Sequence, residues 1–401
     1  MDNHHRRRRS VTDDDDMITN LPEDLINPIL ERLPVKDAVR TSVLSKRWRV
    51  ISQIMIHHQG PISTFLLHIP KEIVLHSFQE VDLWMLILSR NNLRVLLFRN
   101  SNRIYQIPPS VFSCLELRVL GLRGCIFNPP LEFKGFPNLQ DINLQKVIFG
   151  GNLGGTVINL PQLKNLSLHT CLNLNNFNIM AVKLQHLLVF GCPDAMLLRL
   201  LHSKHLSAVH ICLGKSMQGL QVERYSLARM LSNLPKLVTF NIDGYFLKFL
   251  AAQKFPSLLP HAIIHLQLLK FQRFSFGDLD QVQGALCILR NSPNLKGLGV
   301  THVQMGPEAD LELTSNYIES LDSLDQTLFM LKTVEMISLE GSRPELLFVK
   351  LLLDHSPHLE SMIIRPSATV DAEKRLNIAK DVMLFPRASS KAKMVYLDPE
   401  P

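Results

Sequence analysis

LRVLGLRGC (Leu117–Cys125), LKNLSLHTC (Leu163–Cys171) and LQHLLVFGC (Leu184–Cys192) are three spellings of one phrase. Each sets apolar residues at its first, fourth and sixth places and closes on a cysteine. Working outward, the L-x-x-L-x-L core returns at irregular steps of roughly two dozen residues. It reads Leu93-Leu96-Phe98 and Leu139-Ile142-Leu144 on the early side. Weaker copies follow at Leu206-Val209-Ile211, Leu237-Phe240-Ile242, Ile263-Leu266-Leu268, Leu295-Leu298-Val300, Val334-Ile337-Leu339 and Leu359-Met362-Ile364.

A unit of that length cannot bury its own apolar face, so each must stack on its neighbours. The expected fold is α/β: an irregular leucine-rich-repeat solenoid with a curved parallel sheet inside and helices outside. The phrase leucines point inward, and the residues between them alternate onto the concave face. Counted from the first leucine, the fifth and seventh places face outward. They supply the candidate binding residues Arg99, Arg123, Asn143, Gln145, His169, Leu188, Phe190 and His210, with Asp243, Gln267 and Leu269 further along. Cations and amides lead, and an apolar centre follows, as a protein-binding patch requires. Cys125, Cys171 and Cys192 stand where a small side chain turns inward and offers a weak donor to loop carbonyls. No C-x-x-C pair occurs among the six cysteines, which predicts reduced structural thiols and a cytoplasmic or nuclear setting.

The 401 residues are 46% hydrophobic and 20% charged, a folded composition. No apolar run approaches the roughly 18 residues of a membrane span. Arg6–Arg9 lead no apolar stretch, so they do not open a secretory signal. With Asp13–Asp16 behind them, residues 1–16 are expected to be a disordered charged tail. The net charge of +7 is scattered, without the basic-aromatic stripe of a nucleic-acid groove. Gly214-Lys215-Ser216 ends like a phosphate loop, but position 209 is valine. His202 with His205, and His355 with His358, lack a third ligand nearby. The expectation is therefore no active site, no metal and no cofactor. The glycine pairs at 150–151 and 154–155 mark a loop where a helix is usual, whereas Leu311–Leu331 and Leu346–His355 carry helical spacing.

Before the repeats the pattern changes. Thr19 or Asn20 can cap a helix whose face holds Leu25, Ile26, Ile29, Leu30 and Leu33, and Pro34 stops it. Asp37 can cap a second short helix, and a third begins near Ser45. Three short helices bury too little by themselves, so such a module completes itself against a partner. A plain end cap for the solenoid is the simpler reading, but a cap needs neither Leu-Pro twice at this spacing nor Leu-Ser-Lys-Arg-Trp.

Leu21-Pro22-Glu23-Asp24-Leu25, Ile29 to Pro34 and Ala38 to Arg49 together resemble an F-box, particularly that of the plant F-box/FBD/leucine-rich-repeat family. Val81 to Phe98 is similar to the opening of that family's repeats, and Tyr105 to Phe149 to its first full ones. Leu331-Lys332-Thr333-Val334-Glu335, Leu351 to Glu360 and Phe385-Pro386-Arg387-Ala388-Ser389 resemble its FBD domain. The resemblance implies an F-box over 17–60, repeats over 61–328 and an FBD domain over 329–401. It further implies a substrate-recognition subunit of a Skp–cullin–F-box ubiquitin ligase. The Skp-type adaptor would be held by Leu21, Pro22, Leu30, Leu33, Pro34, Val43, Leu44, Ser45, Lys46, Arg47 and Trp48, and a target protein by the repeats. Two other readings stay open: a repeat scaffold outside any ligase, and a co-receptor that needs a small molecule in its groove.

Overall fold

The computed structural model describes residues 48–71, 77–151, 157–192, 200–214, 227–250, 259, 262–303, 308–321 and 328–399. It divides into two compact units, residues 1–126 and 127–401.

In the first unit, helix α1 (Trp48–His57) runs eight residues beyond Arg49 and buries Ile51 and Met55. It packs on helix α2 (Gln79–Ser89). Helix α2 buries Val81, Trp84, Met85 and Leu88, the i, i+3, i+4, i+7 stripe of a helix lying on a core. Trp84 is wholly buried, and its indole Nε1–H donates to Ser52 Oγ at 2.9 Å, tying the two helices by contact and by direction. Strands β1 (Thr64–Ile69), β2 (Val95–Asn100) and β3 (Val119–Arg123) pair in parallel. Leu96, Phe98, Leu120 and Leu122 turn inward as the pattern requires. Tyr105 packs against Phe98 with its ring tilted at 57° and donates its hydroxyl to Asp82 at 2.6 Å; burial first, then that carboxylate, hold its proton on far above the usual phenol range.

The second unit is one parallel succession in chain order. Strands β4 (Asp141–Gln145), β5 (Asn165–His169), β6 (His186–Phe190) and β7 (Ala208–Cys212) come first. Their crossovers among the described residues hold short strands and turns, and a column of Phe127, Phe149 and Phe177 fills the layer behind the sheet, with the last two rings stacked at 4.5 Å. From there helices take over. Helix α3 (Leu227–Ser232) precedes β8 (Thr239–Asp243); α4 (Gly244–Leu250) and then β9 (Leu268–Phe274) follow. Then come α5 (Leu279–Arg290), β10 (Gly297–His302), α6 (Glu308–Glu319) and β11 (Thr333–Leu339). Helix α7 (Arg343–His355), β12 (Ser361–Pro366), α8 (Ala372–Leu384) and β13 (Lys393–Tyr396) close the unit. Each helix from α4 to α8 packs on the next.

Local chemistry sets the helix starts. Asp278 caps α5 by accepting from Gln281 N, and Asp371 caps α8 by accepting from Lys374 N. At the start of helix α7 the Glu345 carboxylate reaches back to accept from Ser342 N at 2.8 Å, with Pro344 in the first turn. The chain leaves β4, β5 and β6 through a left-handed residue each time: Lys146, Thr170 and Gly191. Only the last is glycine, so the repeating turn, not the residue type, fixes that conformation.

Two expected registers are corrected. Pairing sets Asn241 opposite Lys270 and Gly299 opposite Glu335. The buried phrases are therefore Leu266-Leu269-Phe271 and Leu331-Val334-Met336. Ile263, Leu266 and Leu269 recur every third residue, so the sequence pattern fits two frames, and only the strand pairing decides. Leu331 likewise opens a repeat instead of ending a helix, since α6 stops at Glu319 and residues 322–327 lie outside the described set.

Candidate binding surface

Leu21, Pro22, Leu30, Leu33, Pro34, Val43, Leu44, Ser45, Lys46 and Arg47 lie outside the described residues, and Trp48 is described only as the first residue of α1. What the structure supplies is the mounting: α1 is seated on α2 and the repeats begin directly after it.

In the first unit Arg99 and Arg123 stand opposite each other on β2 and β3, two guanidinium groups on one face. In the second unit one row runs Asn143, Ser167, Leu188, His210, Asn241, Lys270, Gly299, Glu335 across adjacent strands. A second row runs Gln145, His169, Phe190, Cys212. Neighbours in a row sit about 4.8 Å apart at the backbone, so six of the eight residues expected to contact a target form one patch. Phe190 is 44% exposed at its apolar centre, with His169 beside it at 6.1 Å between ring centroids. Ser167 Oγ lies 2.9 Å from His169 Nε2, which holds that imidazole against the sheet.

A third row lies outside the fifth and seventh places of the phrase. Asp141, Asn165 and His186 stand one alternation earlier on β4, β5 and β6. Asn165 donates its amide to Asp141 and faces His186 Nδ1 with its carbonyl oxygen at 2.6 Å. This polar edge could have been found by extending the outward alternation one step back.

Two expected outward residues are buried, and a third, exposed Gln267, lies just off its strand. Asp243 is fully buried: its carboxylate caps α4 by accepting from Phe246 N and accepts from Gly214 N, both at 2.9 Å. Burial raises its pKa, while those donors pull the other way. Leu269 is buried and Gln267 precedes the strand, consequences of the shifted frame; Lys270 and Gln272 take their places. Asn241 is 9% exposed, its Nδ2 3.4 Å from His210 Nδ1 and its buried Oδ1 without a hydrogen bond. Burial chiefly, with His186 and Lys270 adding repulsion, pushes the His210 imidazole below its usual pKa.

All six cysteines are free thiols. Cys125 donates to Arg123 O, Cys171 to Leu144 O and Cys192 to Phe190 O, the inward role expected of the ninth place. His202 and His205 are exposed, His355 faces Leu351 O, and His358 meets the edge of Phe329. Among the described residues no group of three His, Cys, Asp or Glu is placed to hold a metal ion, and no helix is long and apolar enough to cross a membrane.

Residues 18–58 match the F-box domain model, and residues 54–261 match the At1g61320/AtMIF1 leucine-rich-repeat domain model. The two matches meet on α1. F-box/FBD/LRR-repeat protein At1g13570 of Arabidopsis thaliana is 29% identical, over 95% of this chain and 98% of its own length. FBD-associated F-box protein At5g56370 of the same plant is 24% identical over 94% of this chain and 99% of its own. Among solved structures, an internalin from Listeria monocytogenes aligns over 90% of this chain and 96% of its own, at 12% identity and a TM-score of 0.34.

Proposed function

The chain belongs to the plant F-box/FBD/leucine-rich-repeat family, and from that premise we propose that it is the target-recognition subunit of a Skp–cullin–F-box ubiquitin ligase. The observation that carries this reading is the junction at α1. The F-box match ends, and the repeat match begins, on one helix fastened to the first repeat by Trp84 and Ser52. A module that grips an adaptor is thereby followed, on the same helix, by the start of the repeats that can grip a target. Ubiquitin transfer belongs to other subunits; this chain contributes proximity.

The adaptor contact uses Leu21, Pro22, Leu30, Leu33, Pro34 and the Val43–Trp48 run. The target lies on the outward rows, with Leu188 and Phe190 as apolar anchors and Asn143, Gln145, His169 and His210 as the polar surround; Arg99 and Arg123 offer paired cations. The cytoplasm or the nucleus is the expected setting.

The test is a pull-down of the purified full chain with a plant Skp-type adaptor, beside the triple variant Leu21→Ala/Pro22→Ala/Trp48→Ala. A hot-spot truncation costs about 2 kcal/mol, so the triple variant is expected to lose detectable binding. A wild-type chain that is folded by circular dichroism and binds no adaptor overturns the ligase reading. A Leu188→Asp/Phe190→Asp variant is expected to keep the adaptor, since those side chains lie on the sheet face and not in the F-box.

A further inference from the structure

The Phe385–Ser389 motif takes no part in the adaptor or target contacts above, yet its last two residues, Ala388 and Ser389, line a cavity of about 460 Å³. The cavity lies where β11, β12 and β13 begin, and its lining includes Met330, Lys332, Pro357, His358, Glu360 and Lys391. Its charge is unbalanced. Lys332 Nζ meets Glu360 Oε1 at 2.8 Å, and Lys332 first, with Lys391 assisting, lowers the pKa of that carboxylate. One resident anion thus serves two ammonium groups.

The site is also built firmly. Ser389 is 4% exposed; it donates to Leu359 O at 2.7 Å and accepts from Lys391 N at 3.3 Å. Lys391 therefore rises from a turn pinned to the neighbouring strand. His358 is braced by the edge of Phe329 at 4.4 Å, and Phe329 and Met330 remain 50% and 37% exposed beside the opening. Apolar walls, an open mouth and surplus positive charge suit an extended chain bearing carboxylates better than an enclosed small molecule.

We propose that this cavity docks an acidic peptide segment of a partner protein, its carboxylates meeting Lys332 and Lys391 and an adjacent aliphatic side chain covering Met330 and Pro357. Glu360 acts as a resident competitor that holds Lys332 in position until the segment arrives. The proposal rests on this cavity and not on the adaptor contact, so either can fail without the other.

Fluorescence anisotropy of the full chain with a fluorescein-labelled peptide of alternating Glu and Leu tests it. Saturable binding that weakens with added salt is expected, about tenfold weaker in Lys332→Ala/Lys391→Ala. Glu360→Gln is expected to bind several-fold tighter, the opposite sign, because it removes the competing carboxylate. All three side chains are exposed, so thermal melts should be unchanged. Four results overturn the proposal. They are no saturable binding, equal binding of a Lys/Leu peptide, indifference to the double lysine variant, or displacement by inorganic phosphate at the concentrations at which unlabelled peptide displaces.

Discussion

Glu345→Ala should lower the stability of the second unit by about 3–5 kcal/mol, the usual cost of removing one partner from a buried charged cluster. The Glu345 side chain is fully buried, one turn into α7. Its carboxylate accepts from Ser342 N at 2.8 Å and from Glu340 N at 3.2 Å, and it faces His302 Nε2 at 3.4 Å. His302 in turn sets Nδ1 3.0 Å from Phe274 O, at the end of β9. One side chain therefore joins a helix cap, a strand end and a neighbouring strand. Alanine strands the backbone donors and leaves the imidazole without its partner, in a place where water does not reach. The midpoint of thermal unfolding should fall by roughly 6–20 °C. The double variant His302→Leu/Glu345→Ala should recover part of that loss, since an apolar side chain asks for no acceptor. A melt of Glu345→Ala that matches the wild type would show that the cluster does not support the fold.

Trp84→Ala is the counterpart in the first unit. It empties a fully buried indole site and should cost about 3–5 kcal/mol. Trp84→Phe keeps most of the packing and removes the indole hydrogen bond to Ser52 Oγ, so its cost should be near 1 kcal/mol. The chain has two tryptophans, and with Trp84 removed the intrinsic emission reports Trp48 alone. Denaturant unfolding followed at that wavelength should show α1 releasing at lower urea in Trp84→Ala. Coincident transitions in the two proteins would mean that Trp84 does not anchor α1.

The leucine phrase was readable because its places are reserved for burial: Leu120, Leu166, Leu187 and Val209 each land at 1% exposure or less. Cys125, Cys171 and Cys192 were readable for the same reason. The phrase failed at Ile263 and Val334, where apolar residues three apart satisfy two frames and pairing chooses between them. Asp243 was misplaced because alternation assumes a strand that continues, whereas a helix starts at the next residue and takes the carboxylate as its cap. The role of Trp84 was not readable, since its partner Ser52 lies 32 positions upstream, a distance no local pattern spans. The cavity beside Lys332 was invisible for a similar reason, since three strand openings far apart in sequence create it.

The buried thiols have a practical consequence. Burial raises the pKa of Cys114 and Cys287 to about 11 and of half-buried Cys212 to about 12, so near neutral pH almost none carries the thiolate that alkylating reagents attack. For these three, modification of the native chain is gated by opening, not by chemistry, and Cys212, which keeps some solvent contact, should react before the other two. With thiols distributed from Cys114 to Cys287, mass spectrometry of a timed labelling series becomes a clock with several hands. Simultaneous labelling of Cys114 and Cys287, one in each unit and alike in their raised pKa, would show that the chain opens as a whole, and staggered labelling would order the two units by the ease with which each comes apart.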